Sequence, residues 1–338
     1  MTGSLALSFG MVIVVAAGLT WVSMGLARRF NIVDMPGEIK IHLSPTPRFG
    51  GIGIIGGTLF GVTVLGLTGS TLSPQVWVVI VGGVLAAGVG VLDDLWSLKP
   101  LIKLEGQLIP AVLLAAFVIR QQGPIYDWAV VPLTVLALGV SGFAAFVTNA
   151  FNLLDGMDGL AGGVGVLCAV CLGIMALRIG DLPMAKLLFV VAASTTGFLP
   201  LNLPRARTFM GDTGSLFLGY VLGASGVAVA VVATPSISRA VALILILVVP
   251  LSDGFAAVWR RLRRGQSVMA GDRDHLYDRL LARLGANTWV VLLVMWGLTA
   301  TSGVLGLSVM TTEGLVSVST ASVATIGLAL LMRRVGTL

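Results

Sequence analysis

The sequence predicts an all-α, polytopic membrane protein of about 11 transmembrane helices, with its N-terminus outside and its C-terminus cytoplasmic. Three observations predict it. Of 338 residues, 57% are hydrophobic and only 11% charged, where a soluble protein carries roughly 25% charged residues. Apolar runs of about 20 residues, the length a bilayer core requires, recur from end to end and leave no room for a separate soluble domain. Of the 21 Lys and Arg residues, 17 fall on one side of the alternating spans, while Arg120, Arg178, Lys186 and Arg239 make up the other four. Cytoplasmic loops are enriched in basic residues, which fixes the orientation.

The spans are expected near residues 5–27, 50–69, 75–92, 104–120, 128–148, 160–178, 184–200, 214–233, 238–258, 287–308 and 315–332. The first is too long for a signal-peptide core and lacks a small-residue cleavage pattern, so it counts as a membrane helix. Gly50–Gly57 supplies small residues for close helix packing. Cys168 and Cys171 lie one turn apart within an apolar span and read as small buried hydrophobes, not as a disulfide or metal pair. The basic residues form no nucleic-acid footprint, and no internal repeat is detectable.

The loops on the basic side, about 28–49, 93–103, 149–159, 201–213 and 259–286, hold the polar motifs, whereas the outer loops are short. Asn149, Asn152, Asp155 and Asp158 recur every third residue between two apolar spans, and Gly156 and Gly159 oppose a regular helix through them. A spacing of three drifts by about 60° per step on an α-helix and stays nearly eclipsed on a 3₁₀ turn. The stretch therefore reads as a helix end, a polar turn and a new helix, with oxygen ligands suited to a hard cation and the phosphates it carries.

Asp93 and Asp94 end an apolar span, where each carboxylate would cost roughly 2.5–3.5 kcal/mol at membrane depth. Lys99 and Lys103 follow them, as befits a site for anions and a cation. Arg205 and Arg207 precede the Gly-flanked Asp212 and a helix start, the makings of a phosphate and metal cradle. Arg260, Arg261, Arg263 and Arg264 suit anionic lipid headgroups. Carboxylates and amides gathered on one membrane face imply Mg²⁺-dependent chemistry on a phosphorylated cytosolic compound, with a membrane lipid as second substrate. A proton-coupled transporter is the alternative from another class, but it calls for carboxylates at mid-span. A CDP-alcohol phosphatidyltransferase needs an Asp-Gly-x-x-Ala-Arg pattern that Asp158-Gly-Leu-Ala161 does not continue.

These residues also carry a resemblance. Asp34-Met-Pro36, Lys40-Ile-His42, Pro45-Thr-Pro-Arg48-Phe-Gly-Gly51, Asp93-Asp94, Lys103-Leu-Glu-Gly-Gln107, Asn149 to Ala161, Phe209-Met-Gly-Asp-Thr-Gly-Ser215 and Val249-Pro-Leu-Ser-Asp253 follow one another in order. The sequence thereby resembles the polyprenyl-phosphate N-acetylhexosamine-1-phosphate transferases, of the bacterial glycosyltransferase family 4 type. It looks closer to the undecaprenyl-phosphate GlcNAc-1-phosphate branch than to the peptidoglycan translocase branch, whose triple-His run is absent.

The resemblance implies a single integral membrane transferase domain over 1–338, sited in the inner (plasma) membrane with its active site facing the cytoplasm. Its expected reaction transfers GlcNAc-1-phosphate from a UDP-sugar to polyprenyl phosphate, releasing UMP at the first lipid-linked step of a cell-envelope polysaccharide. UDP-GalNAc, a 6-deoxy sugar or UDP-MurNAc-pentapeptide are alternative donors. Residue by residue, the resemblance implies Asp212 and Asn152 as Mg²⁺ positions, with Asp94 assisting and Mn²⁺ as a substitute. It implies catalytic roles for Asp93, Asp94, Asp155 and Lys103, the lysine on the diphosphate. Asp158 and Phe209 would hold and stack uracil, and Asn202 would lie in the nucleoside pocket. Lys40, Arg48, His275 and Tyr277 complete the substrate contacts, and a homodimer is compatible. Ile39 where the family has Arg, and His275-Leu-Tyr277 where it has His-x-His, both bear on the sugar.

Overall fold

The computed structural model describes residues 2–35, 45–122, 133–232, 236–269, 273–285, 287–310 and 314–337. The predicted Lys40, with Ile39, lies outside the described residues. The fold is helical, as expected: α1 (Thr2–Arg29), α2 (Gly51–Leu67), α3 (Pro74–Trp96), α4 (Pro100–Gln122), α5 (Leu133–Leu154), α6 (Leu160–Arg178) and α7 (Leu182–Asn202). After them come α8 (Gly211–Val227), α9 (Ile237–Ile246), α10 (Val248–Arg263), α11 (Leu276–Arg283), α12 (Thr288–Val309) and α13 (Gly314–Val335). A two-residue antiparallel ladder joins β1 (Val33–Asp34) to β2 (Thr46–Pro47), pairing Val33 with Pro47 and Asp34 with Thr46. All-α is thus correct except at this clip, which the alternating apolar spans could not announce.

Among the described residues, nine helices are long and apolar enough to cross a membrane, and the α9–α10 pair makes ten if it counts as one span. The protein is polytopic in the membrane. Two of the expected spans differ in form. Residues 50–69 give a 17-residue helix, stopped by Gly69 at φ +80°. Residues 238–258 are broken between Ile246 and Val248 by a 74° bend. Pro250 accounts for the break, because its ring would meet the carbonyl of Ile246, four residues back in a continuous helix, and it lacks an N–H.

α8 is the hub. Its span is 94% buried inside the protein, against 19% for α13, 28% for α1 and 33% for α4. It packs most extensively along α3 and also against α5, α2 and α6. Tyr220 and Phe217 of α8 are buried against Gly82 and Gly83 of α3, and the Tyr220 hydroxyl donates to the Pro110 carbonyl of α4 at 2.9 Å. Gly90 lets α3 approach the hub: a Cβ there would overlap the backbone of Asp212 and Thr213. Cys168 and Cys171 are free and buried, as expected.

Candidate active site

Four helix ends converge on the amino end of α8. α3 stops at Trp96 because Ser97 turns left-handed (φ +48°) and returns its N–H to the Asp93 carbonyl. Asp93 Oδ1 then accepts the Leu98 N–H at 2.7 Å, holding the turn so that Lys103 on α4 points back at it. The Lys103 ammonium donates to Asp93 Oδ2 at 3.1 Å, to Asn152 Oδ1 at 2.9 Å and to Asp212 Oδ2. Asn152 also donates to Asp212 Oδ1 at 2.8 Å and Ser215 Oγ at 3.0 Å. Three of the residues expected at the chemistry thus close around one ammonium group.

Asp94 faces elsewhere. Its Oδ1 accepts the Asp212 N–H at 3.0 Å, and its Oδ2 accepts the Thr213 N–H at 2.9 Å and the Thr213 hydroxyl at 2.7 Å. It closes the positive end of α8, where unpaired backbone N–H groups favour an anion. Gly211 at φ +68° makes the approach, since a Cβ there would overlap the Asp94 carboxylate. In this geometry Asp94 aims Asp212.

The 149–159 stretch is a helix end, a turn and a helix start, as the glycines require: α5 runs through Leu154, and Gly159 at φ +75° precedes α6. Asn149 and Asn152 stay on regular α-helix, not on a 3₁₀ ladder. Asn149 donates to Gln107 at 2.6 Å. In the turn, Asp158 accepts the Ala206 N–H at 2.9 Å, and buried Asn202 accepts from Gly159 N–H and donates to the Thr208 carbonyl, both at 3.0 Å. Asn202 therefore ties two loops together beneath the site. Asp155 is held well above the usual carboxylate range, first by desolvation and then by the negative charges of Asp212, Asp94 and Asp158.

A cavity of about 560 Å³ opens over this centre. Asp93, Asp94, Asp155, Asp158, Asn202, Phe209, Asp212, Arg48 and Tyr277 all line it, so half of its wall consists of residues expected at the site. Arg48 is paired with Asp34 of the β-clip. Phe209 is fixed by Phe209 N–H to Pro47 carbonyl at 2.8 Å and Gly50 N–H to Phe209 carbonyl at 2.9 Å. Asp34, Arg273, Asp278 and Thr288 are further wall residues that the sequence reading did not single out as contacts. Thr288 opens α12 in a stretch with no polar motif to mark it. Arg205, Arg207 and Lys99, expected near anions, are on neither cavity wall; Arg205, Arg207 and Lys99 are all exposed.

His275 is placed differently from expectation. It is buried and does not line the cavity; its Nδ1 lies 2.7 Å from Asp253 Oδ2, and its ring stacks on Tyr277 with centroids 5.5 Å apart. Tyr277 reaches the wall beside Gly156, where a Cβ would overlap the phenol oxygen. Burial and then the charges of Asp278, Asp253 and Asp155 push the Tyr277 phenol well up, so it remains a donor. Asp278 is raised to about 6, chiefly by desolvation.

A second cavity of about 580 Å³ lies between α4, α5 and α10 and shares Asp93 and Leu98 with the first. Its wall is mostly apolar (Leu104, Leu108, Ala145, Phe146, Leu153, Val258), with Lys103, Asn149, Asn152 and Arg261 among its polar members.

Residues 76–232 match the profile of glycosyl transferase family 4. The chain is 31% identical over 324 residues to a decaprenyl-phosphate N-acetylglucosaminephosphotransferase of Mycobacterium leprae, covering 83% of this chain and 79% of the relative. The chain belongs to glycosyl transferase family 4. It is 32% identical to a probable undecaprenyl-phosphate N-acetylglucosaminyl 1-phosphate transferase of Bacillus subtilis, over 78% of this chain and 74% of the relative. A Yersinia pestis undecaprenyl-phosphate alpha-N-acetylglucosaminyl 1-phosphate transferase is 28% identical over 85% and 80% of the two chains. As a family 4 member the chain is a phospho-N-acetylhexosamine transferase-family enzyme of the membrane, which sets the transporter reading aside.

The oxygen donors around Lys103 bear on the expected divalent ion. Among the described residues no three carboxylate, imidazole or thiol groups form a ready cluster. The donors that do converge, from Asp212, Asn152 and Asp93, are all hard oxygens already gathered about one positive charge, and nitrogen or sulfur ligands are not among them. That chemistry fits Mg²⁺.

Proposed function

We propose that the protein transfers N-acetylhexosamine-1-phosphate from a UDP-sugar to polyprenyl phosphate, with GlcNAc as the favoured sugar. The observation that carries this reading is the meeting of two cavities at Asp93: one polar and carboxylate-lined, the other mostly apolar with a lysine and an arginine. A nucleotide sugar suits the first and a phosphorylated isoprenoid the second. The names of the mycobacterial and Bacillus relatives support the polyprenyl-phosphate acceptor and the transferred N-acetylglucosamine phosphate.

An oxygen of polyprenyl phosphate attacks the sugar-linked β-phosphorus. The bond from that phosphorus to the bridging oxygen breaks, and the electron pair leaves with UMP. A phosphate monoester has its second pKa near 6 and is largely a dianion at pH 7, so the nucleophile needs no strong base. Asp93, on both cavity walls, orients it, and Lys103 stabilises charge on the diphosphate oxygens. Mg²⁺ would be held by Asp212 with Asn152, and when bound it supplies charge neutralisation at the diphosphate. Asp94 holds Asp212 in place through α8, while Phe209 and Asp158 receive the base. The basic asymmetry supports a site at the cytoplasmic face of the plasma membrane.

The test is UMP release by purified protein with polyprenyl phosphate, Mg²⁺ or Mn²⁺, and a panel of UDP-sugars. Release with UDP-GlcNAc that requires the lipid and is lost with chelator is the expected result. Lipid-independent release, or none with any donor, sinks the reading.

A further inference from the structure

One buried carboxylate is left unused by this mechanism. Asp253 of α10 is fully inaccessible and lies outside both cavity walls. Both its oxygens are spent on the start of another helix: Oδ2 faces His275 Nδ1 at 2.7 Å, and Oδ1 accepts the Leu276 N–H at 2.8 Å. α11 has only eight residues, and its N-cap residue, His275, makes no side-chain cap bond. A carboxylate from α10 takes over that duty, pairing a donor that the first turn would otherwise leave unsatisfied.

What α11 carries makes the cap matter. Tyr277 and Asp278 in its first turn line the polar cavity, and Tyr277 lies flat on the His275 ring at 7°. A carboxylate only accepts, so the Asp253 contact keeps a proton on His275 Nδ1 and sets the ring plane. That plane sets the plane of Tyr277, whose phenol sits in the slot left by Gly156, next to Asp155. The adjacent residue, Gly254, and Val258 on the same helix face the apolar cavity. α10 thus forms the apolar wall with one face and fixes the polar wall with the other.

We infer that Asp253 is a positioning residue for the sugar end of the donor site, acting through His275 and the first turn of α11 on Tyr277 and Asp278. It touches no substrate. The inference rests on the proposed function for the identity of the donor, on the resemblance of His275-Leu-Tyr277 for placing its sugar at α11, and on geometry alone for the Asp253–His275–Tyr277 link.

The experiment compares wild type with Asp253→Asn in two readouts. The first is the ¹⁵N spectrum of histidine-labelled protein, in which only His42 and His275 contribute. An asparagine keeps the Leu276 N–H paired only with its amide NH₂ facing His275 Nδ1, which must then accept and shift the ring proton to Nε2. The second is calorimetric binding of UDP-GlcNAc and of UMP. Expected is the tautomer shift, a loss of about tenfold in UDP-GlcNAc affinity, and unchanged UMP affinity, since a mis-set sugar wall leaves polar groups unpaired. An unchanged tautomer, unchanged UDP-GlcNAc affinity, or equal losses for UDP-GlcNAc and UMP would each overturn the role. Asp253→Glu is the second variant. If neither variant yields folded protein, Asp253 is a folding residue and the proposal fails. If wild type binds no UDP-sugar, the proposed function itself falls, an outcome distinct from a wild type that binds and a variant that binds equally.

Discussion

Asp94 and Thr213 are joined twice, for one carboxylate oxygen takes both the backbone N–H of Thr213 at 2.9 Å and its hydroxyl at 2.7 Å. The adjacent Asp93 instead faces Lys103 at 3.1 Å. Two neighbouring aspartates thereby divide between holding a helix end and facing the lysine where the two cavities meet. Asp94→Ala leaves two backbone donors and a hydroxyl unpaired, at about 1–3 kcal/mol for each buried one. Thr213→Val removes the hydroxyl alone. Thermal unfolding in detergent should rank Asp94→Ala lowest, Thr213→Val between, and wild type highest; a wild-type midpoint for Asp94→Ala would remove the cap.

Asp212→Asn keeps the shape of the side chain and removes the charge that Lys103 and Asn152 surround. Under the proposed metal role, loss of that charge should lower UMP release at least about 10²-fold. Turnover near that of wild type at saturating Mg²⁺ would take Asp212 out of the metal site.

Gly156 and Tyr277 should behave as a coupled pair. Gly156→Ala drives a methyl into the phenol and is expected to cut turnover, whereas Gly156→Ala with Tyr277→Phe recovers part of it by removing the overlapping oxygen. A double-mutant cycle on kcat/KM measures the coupling, expected at about 0.5–3 kcal/mol for residues in contact. Strict additivity would mean that the two do not meet.

Asp278 predicts a pH dependence of stability. Its carboxyl is raised to about 6 in the folded protein, from 3.8 for a solvated aspartate. Between those values the folded chain binds more protons than the unfolded one, so stability falls as pH rises and levels off above about 6. Asp278→Asn lacks that loss. Its advantage over wild type in denaturation midpoint should be absent near pH 4, grow to pH 6 and stay constant beyond; an advantage independent of pH would reject the assignment.

Orientation is tested by labelling. Ser97 and Ser267 lie on the basic side, Thr71 and Leu182 on the other, and all four are exposed. With Cys168 and Cys171 replaced, an impermeant thiol reagent should label Thr71→Cys and Leu182→Cys in intact cells, and Ser97→Cys and Ser267→Cys only after lysis. Labelling of Ser97→Cys in intact cells would invert the topology.

Hydropathy made most of the bundle readable, because a bilayer demands long apolar helices and tolerates few alternatives. The Asn149–Asp158 turn was readable for the same reason: polar residues and glycines there had no apolar explanation. Function within a motif was harder to see. Nothing in an Asp-Asp pair says which carboxylate faces a helix end, since that depends on where α8 arrives. The bend before Val248 had a signal in Pro250, hidden inside an apolar run that still summed to a span. His275 was conspicuous as a motif residue, yet its partner Asp253 sits 22 positions away on another helix. Cross-helix pairings of that kind come from packing and leave little local trace.

The depth of α8 has a mechanical consequence. Membranes that thin or thicken load the helices touching lipid, through tilt and stretch. In this bundle that load falls on α1, α4 and α13, while the helix bearing Asp212 is wrapped by protein along 94% of its span. Asp212 is mounted on an axle inside a compliant rim, and the change in bilayer thickness that reaches it comes through Lys103, its partner on the lipid-facing α4.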